Sequence, residues 1–238
     1  MPTGVAGVLC PRALITHRLT PSMTAFSSIT GTALMQLHDQ YLAQEGWPAQ
    51  IELQVYGDGD DPWPWIRVNH FHNASLWVQE DLARRTQVSD SEIAANKRAI
   101  DRHNQKRNDA VERIDELLLI TLGVVNRHAE GRLQPLRVGA RLNSETAGAM
   151  IDRLSILSLK CHAMRGQLMR TDVGAEHLAI SHTRLLALQE QRADLLCCLD
   201  TLLNDTRCGT AWFKVYRQFK MYNDPEFNPA LVAERRLE

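Results

Sequence analysis

The chain has 238 residues, 44% hydrophobic and 23% charged, and a formal net charge of −1. That apolar content supports one large domain with a sizeable core and excludes a disordered chain. The balanced charge argues against a broad nucleic-acid or anionic-membrane surface, and no apolar run reaches the ~20 residues of a membrane span.

Residues 1–22 differ from the rest. They hold Pro2, Gly4, Gly7, Pro11 and Pro21, and the first acidic residue is Asp39. They are read as a disordered extension, or as sequence upstream of a working start at Met23, with residues 23–238 forming a single helical domain. The cysteines, Cys10, Cys161, Cys197, Cys198 and Cys208, are odd in number and lack metal-type spacing. They read as reduced thiols of a cytoplasmic protein, mostly small core residues.

Ser27 to Glu45 supports a first helix, closed by Gly46 and Pro48. Residues 47–68 read as a loop because of Gly57-Asp58-Gly59 and Asp60-Asp61-Pro62, with Trp47, Trp63 and Trp65 in or beside it. Asn69 to Arg85 predicts a second helix, with Phe71, Val78 and Leu82 on its apolar face. Another face carries His70, Asn73, Trp77, Glu80, Asp81 and Arg84. It reads either as a solvated surface with a Glu80–Arg84 pair or as one wall of a site; a tryptophan amid that stripe favours the wall.

Ser89 to about Asn126 predicts one long central helix opened by a Ser89/Glu92 capping box. Its packing seam is Ile93, Lys97, Ile100, Asn104, Arg107, Val111, Ile114 and Leu118. An amide and a guanidinium in such a seam need partners, since an unpaired buried polar group costs about 1–3 kcal/mol. The seam therefore predicts a polar pocket. A basic loop, residues 127–142, carries Arg127, Arg132, Arg137 and Arg141. Asn143 to about Met169 is the next helix, with Asn143, Ser144 and Thr146 as cap candidates and Gly148 in its first turn. Thr146 and Gly148 could cradle an anion or simply cap the helix. Glu176 to Leu203 is the last long helix, broken by Asn204, Asp205 and Gly209. Residues 211–222, aromatic and basic together, read as a short helix closing the bundle or as a surface that stacks on a base or binds phosphate. An irregular tail follows from Pro225.

No Walker loop, dinucleotide fingerprint, GxSxG or HExxH occurs. The histidine spacings do not suit zinc, so no metal site is assigned. What remains is a set of carboxylates and cations on several helices. Glu80, Asp81 and Asp152 are the acid/base candidates, with Mg²⁺ on those carboxylates as an accessory. Arg84, Asn104, Arg107, Asn108, Thr146, Gly148, Arg153, Arg217 and Lys220 are the candidate ligand contacts.

The pieces LWVQEDLARR (76–85), KRAIDRHNQKRNDAVERID (97–115), LNSETAGAMIDRLSILSLK (142–160) and YRQFKMYNDPEFNPAL (216–231) closely resemble the bacterial family called domain of unknown function 4254. The resemblance covers about residues 29–231. Family motifs map onto Trp77, Glu80, Asp81, Arg84, Arg98, Asp101, Asn104, Arg107, Asn108, Glu112, Asp115, Thr146, Gly148, Asp152, Arg153, Arg217, Lys220 and Asn223. Where many relatives have proline after the Thr146 position, this chain has Ala147. The resemblance implies a helical fold and, from a setting among genes for sugar transfer and surface polysaccharides, a cytoplasmic location, but no reaction.

The expected structure is an all-α bundle of about five main helices. The expected function is binding, or acting on, a phosphorylated sugar or nucleotide-sugar. A non-enzymatic adaptor for a glycosyltransferase is the alternative, its polar residues then serving as interhelical registry pairs. The sequence does not fix the oligomeric state, although long helices with extra apolar faces are compatible with a homodimer.

Overall fold

A computed structural model describes residues 29–49, 59–124 and 139–235. The expectations for residues 1–22, for the part of the expected loop at 50–58 and for Arg127, Arg132 and Arg137 lie outside the described residues. Within them the fold is an all-α bundle. Its helices are α1 (Gly31–Leu42), α2 (Trp63–Leu82), α3 (Asp90–Thr121), α4 (Ala147–Leu168), α5 (Ala175–Cys208) and the short α6 (Pro229–Arg235). Two two-residue strands, β1 (Arg141–Leu142) and β2 (Ala211–Trp212), pair in parallel.

Three of the long helices, α1, α3 and α4, start where a side chain satisfies orphan backbone donors. Thr30 caps α1 through Ala33 N–H, and the Asp200 carboxylate accepts the Gly31 N–H at 2.7 Å, tying α1 to α5. The Ser89/Glu92 capping box of α3 forms in both directions. Thr146 accepts the Ala149 N–H and so is the cap of α4. Gly209, at φ 72°, closes α5 in the left-handed conformation that glycine adopts without strain.

The short links 83–89 and 169–174 fold α2 onto α3 and α4 onto α5 as two helical hairpins. The helix that touches all four other long helices is α4, so it, rather than α3, is the hub of the packing. Ile114, Leu118, Ile151, Leu154, Leu199 and Phe213 form the middle of the core. Of the described cysteines only Cys161 belongs to it; Cys197 and Cys198 are exposed and Cys208 is half-buried, so the expected core role fits one of the four.

Several elements differ from the sequence expectation. α2 begins at Trp63, inside the stretch read as loop, because Pro62 and Pro64 occupy helix-start positions where the missing N–H costs nothing. α5 continues through Asn204 and Asp205 to Cys208. Residues 211–220 are not a helix but β2 followed by an extended strap, and Arg141–Leu142 is a strand rather than loop. The tail contains α6.

Candidate functional site

The polar face of α2 has two fates. Its first half points inward: Asn69, His70, His72 and Asn73 are all buried, while Val78 of the expected apolar face is exposed. Small serines on α4 make room for them. Ser155 Oγ lies 2.8 Å from His70 Nδ1 and accepts an N–H of the Asn73 amide at 3.1 Å. The Asp152 carboxylate accepts from the Asn69 and Asn73 amides at 2.7 and 2.9 Å. Deeper in the bundle, Arg192 of α5 donates to both carboxylate oxygens of Asp39 on α1, at 2.8 and 3.3 Å, and to Ser158 Oγ at 3.2 Å. His38 stacks on His70 with ring centroids 4.5 Å apart. Burial holds His38 well below the ordinary histidine range and lowers His70 to about 4.

The second half of the same face opens into a cleft. Trp77, Glu80 and Asp81 of α2 and Arg84 in the turn after it line this cleft with Asn104 and Arg107 of α3, Asn73, and the apolar Ile156 and Leu159 of α4; the volume is about 310 Å³. Glu80 pairs with Arg84 at 2.9 Å, an exposed bond between successive turns. Arg107 is held from behind: Asp152 lies 3.9 Å from its Nε, and one terminal N–H donates to Asn108 at 3.3 Å. That Nε is buried and has no hydrogen-bond partner.

A second cleft adjoins the first and shares Asn104 and Arg107 with it. It has about 230 Å³ and is completed by Asp101, Asn108, Gln218, Lys220 and Tyr222. The strap builds its outer wall. Phe213 buries fully, the Gln218 N–H donates to Glu112 at 3.0 Å, and Arg217 binds Glu112 at 2.6 Å and also Glu116. Asp101 is occupied by Lys97 one turn earlier. A third cleft of about 420 Å³ continues along α3 past Asn108 to Glu112, Asp115, Thr146, Tyr216 and Arg217.

The candidates thus divide. Glu80, Asp81, Arg84, Asn104 and Arg107 meet in the first cleft, and Lys220 and Asn108 join the shared residues in the second. Asp152 stands behind Arg107, where it orients the guanidinium and the Asn73 amide. Arg217 and Thr146 line the third cleft, the former neutralised by two carboxylates. Arg153 is elsewhere: it pairs with Glu145 at 2.6 Å in a groove between α4 and α5. Gly148 does not offer its N–H to a ligand, because Asp115 Oδ1 accepts it at 2.6 Å. A methyl group there would sit 2.6 Å from the Val111 carbonyl oxygen, so glycine permits close helix contact instead of an external anion cradle.

Two features escaped the reading of candidates. Asp115 is buried at the start of α4, and burial raises its carboxyl to about 7 against the hydrogen bonds from Thr146 and Gly148. Its place among Ile114 and Leu117 gives no local sign of this. His72 and His103 approach with their Nδ1 atoms 2.9 Å apart across α2 and α3; burial chiefly, then the charge of His103, lowers His72 to about 4. Among the described residues no three histidine, cysteine or carboxylate side chains gather as a metal site, and no helix is long and apolar enough to cross a membrane.

A family model described as protein of unknown function (DUF4254) matches residues 63–215, that is, α2 through the start of the strap. Neither curated proteins nor solved structures give a match to the chain.

Proposed function

The chain belongs to the family of proteins of unknown function DUF4254, and we propose that it binds, and acts on, a phosphorylated sugar at the paired clefts along α3. The observation that carries this is Arg107, which lines both clefts and keeps a buried Nε without a hydrogen-bond partner. On one side Trp77 provides an apolar ring face, with Glu80, Asp81 and the Asn73 and Asn104 amides as acceptors and donors around it. A sugar ring has the same composition: apolar faces and a hydroxyl rim. On the other side Lys220 and Arg107 supply cations suited to a phosphate, the guanidinium offering paired donors. Glu80 and Asp81 are the groups in reach of the sugar end for acid/base work, or for Mg²⁺ bridging to phosphate oxygens.

The adaptor reading draws on a different observation. The Asp39–Arg192–Ser158 and Asn69–Asp152–Asn73 contacts pair polar groups between helices, as registry contacts do. Of those groups Asn73 alone lines a cleft, however, and the contacts leave Glu80, Asp81, Asn104 and Lys220 facing open volume.

Thermal-shift measurements with sugar phosphates, with and without Mg²⁺, test the proposal. A ligand at 100 times its dissociation constant should stabilise the fold by ~2.7 kcal/mol, and the shift should vanish in Arg107→Ala. Absence of any shift in the wild type across sugar phosphates and nucleotide-sugars would overturn it.

A further inference from the structure

The strap between Phe213 and Asn228 presents an unusual surface. Phe219 is 87% exposed, Met221 62% and Tyr222 65%. Exposed apolar side chains are ordinary when scattered, but several within four residues on one edge mark a contact surface. Their backbone is fixed. Gln218 and Arg217 are bonded to α3, and Asn228 donates to the Tyr222 carbonyl at 2.6 Å. Tyr222 also lines the second cleft, together with Arg107 and Lys220. An anion held by those two cations shares its cleft with an exposed aromatic side chain.

Resting on the phosphorylated-sugar reading above, we propose that the ligand is a nucleoside diphosphate sugar. Its diphosphate spans Arg107 and Lys220, its sugar enters the cleft of Trp77, Glu80 and Asp81, and its nucleoside stacks on Tyr222. Three observations converge on this order. The two clefts meet at Arg107, so a group there has one neighbour on the Trp77 side and another on the Tyr222 side. Asp101 is paired with Lys97, and the cations that line the second cleft are Lys220 and Arg107, the latter held from behind by Asp152 with terminal N–H groups left to bind phosphate oxygens. Tyr222 lines that cleft and is 65% exposed, so a planar base can stack on it without entering the bundle.

The test is isothermal titration of the full chain with UDP-glucose, GDP-mannose, UDP, glucose-1-phosphate and inorganic pyrophosphate, repeated on Tyr222→Ala, Tyr222→Phe and Arg107→Ala. At least one nucleotide-sugar should bind roughly tenfold or more tightly than glucose-1-phosphate, as base–aromatic stacking allows. Tyr222→Ala should remove that advantage, Tyr222→Phe should keep it, and Arg107→Ala should weaken every phosphate-bearing probe. Glucose-1-phosphate binding as tightly as both nucleotide-sugars, or a nucleotide-sugar affinity unchanged in Tyr222→Ala, would overturn the nucleoside assignment and leave the sugar-phosphate reading standing. Failure of every probe to bind the wild type would overturn both.

Discussion

Arg107 and Gly148 lie on neighbouring parts of the same helix contact and are expected to respond oppositely to substitution. Arg107 is about a quarter exposed and its ion pair with Asp152 is long. Such a pair contributes about 1 kcal/mol or less, so Arg107→Ala should leave the urea midpoint nearly unchanged while binding falls at least about tenfold. Gly148 touches no open volume. A β-carbon there meets the Val111 carbonyl and the Asp115 carboxyl, both on α3, which must separate from α4 to admit it. Gly148→Ala should cost about 1–3 kcal/mol in urea unfolding, the usual range for overpacking. Equal stability of wild type and Gly148→Ala would show that the two helices are not in close contact at this turn.

For the elements, legibility followed the range of the interaction. The start of α3 was readable because the capping box is made within four residues, and Ser89→Ala should cost about 1 kcal/mol. Glu80, Asp81 and Arg84 as one set and Asn104 and Arg107 as another are legible because each repeats at helical spacing within one segment, whereas their meeting in one cleft depends on the packing of α2 on α3. The buried face of α2 was not legible. His70, Asn69 and Asn73 look like surface residues until Asp152 and Ser155, some 80 residues later, supply their partners. The strap was read as a helix because its alternation of aromatic and basic residues imitates an amphipathic turn. Its actual path is set by Glu112 and Glu116, more than 100 residues earlier in the chain. Arg192 is the sharpest case. It sits in an otherwise ordinary leucine seam, yet its side chain is only 8% exposed and bonded to Asp39. Asp39→Ala, which strands that guanidinium, should cost about 3 kcal/mol, and Arg192→Met should be far milder because charge and partner requirement leave together. Circular dichroism melts of the two variants distinguish them by order.

The whole molecule should be acid-sensitive. His38, His70, His72 and His103 are all held below the ordinary histidine value, burial being the first cause in each. The unfolded chain protonates these groups below about pH 6.5, whereas folded His70 and His72 resist until about 4. Between those values the unfolded state binds more protons, so stability falls as the pH falls. Asp115 acts in the reverse direction. Its folded carboxyl keeps a proton up to about 7, so from about 4 to 7 it makes the fold less stable as pH rises. Four histidines against one carboxyl leave a net loss on acidification. The urea midpoint should be lower at pH 5 than at pH 7, and Asp115→Asn should steepen the decline by removing the opposing contribution. A midpoint that rises on acidification would contradict this balance.

The pairing of β1 with β2 is only two residues long, but it joins the chain just before α4 to the chain just after α5. Arg141 donates its N–H to Thr210 and Asn143 donates to Trp212, at 2.9 and 2.8 Å. Three residues downstream of this clasp on one side is Thr146, which begins α4; eight residues downstream on the other is Lys220. The start of the hub helix and the strap that walls the second cleft are therefore clasped together, close to the point where the Asp115 carboxyl accepts the Gly148 N–H.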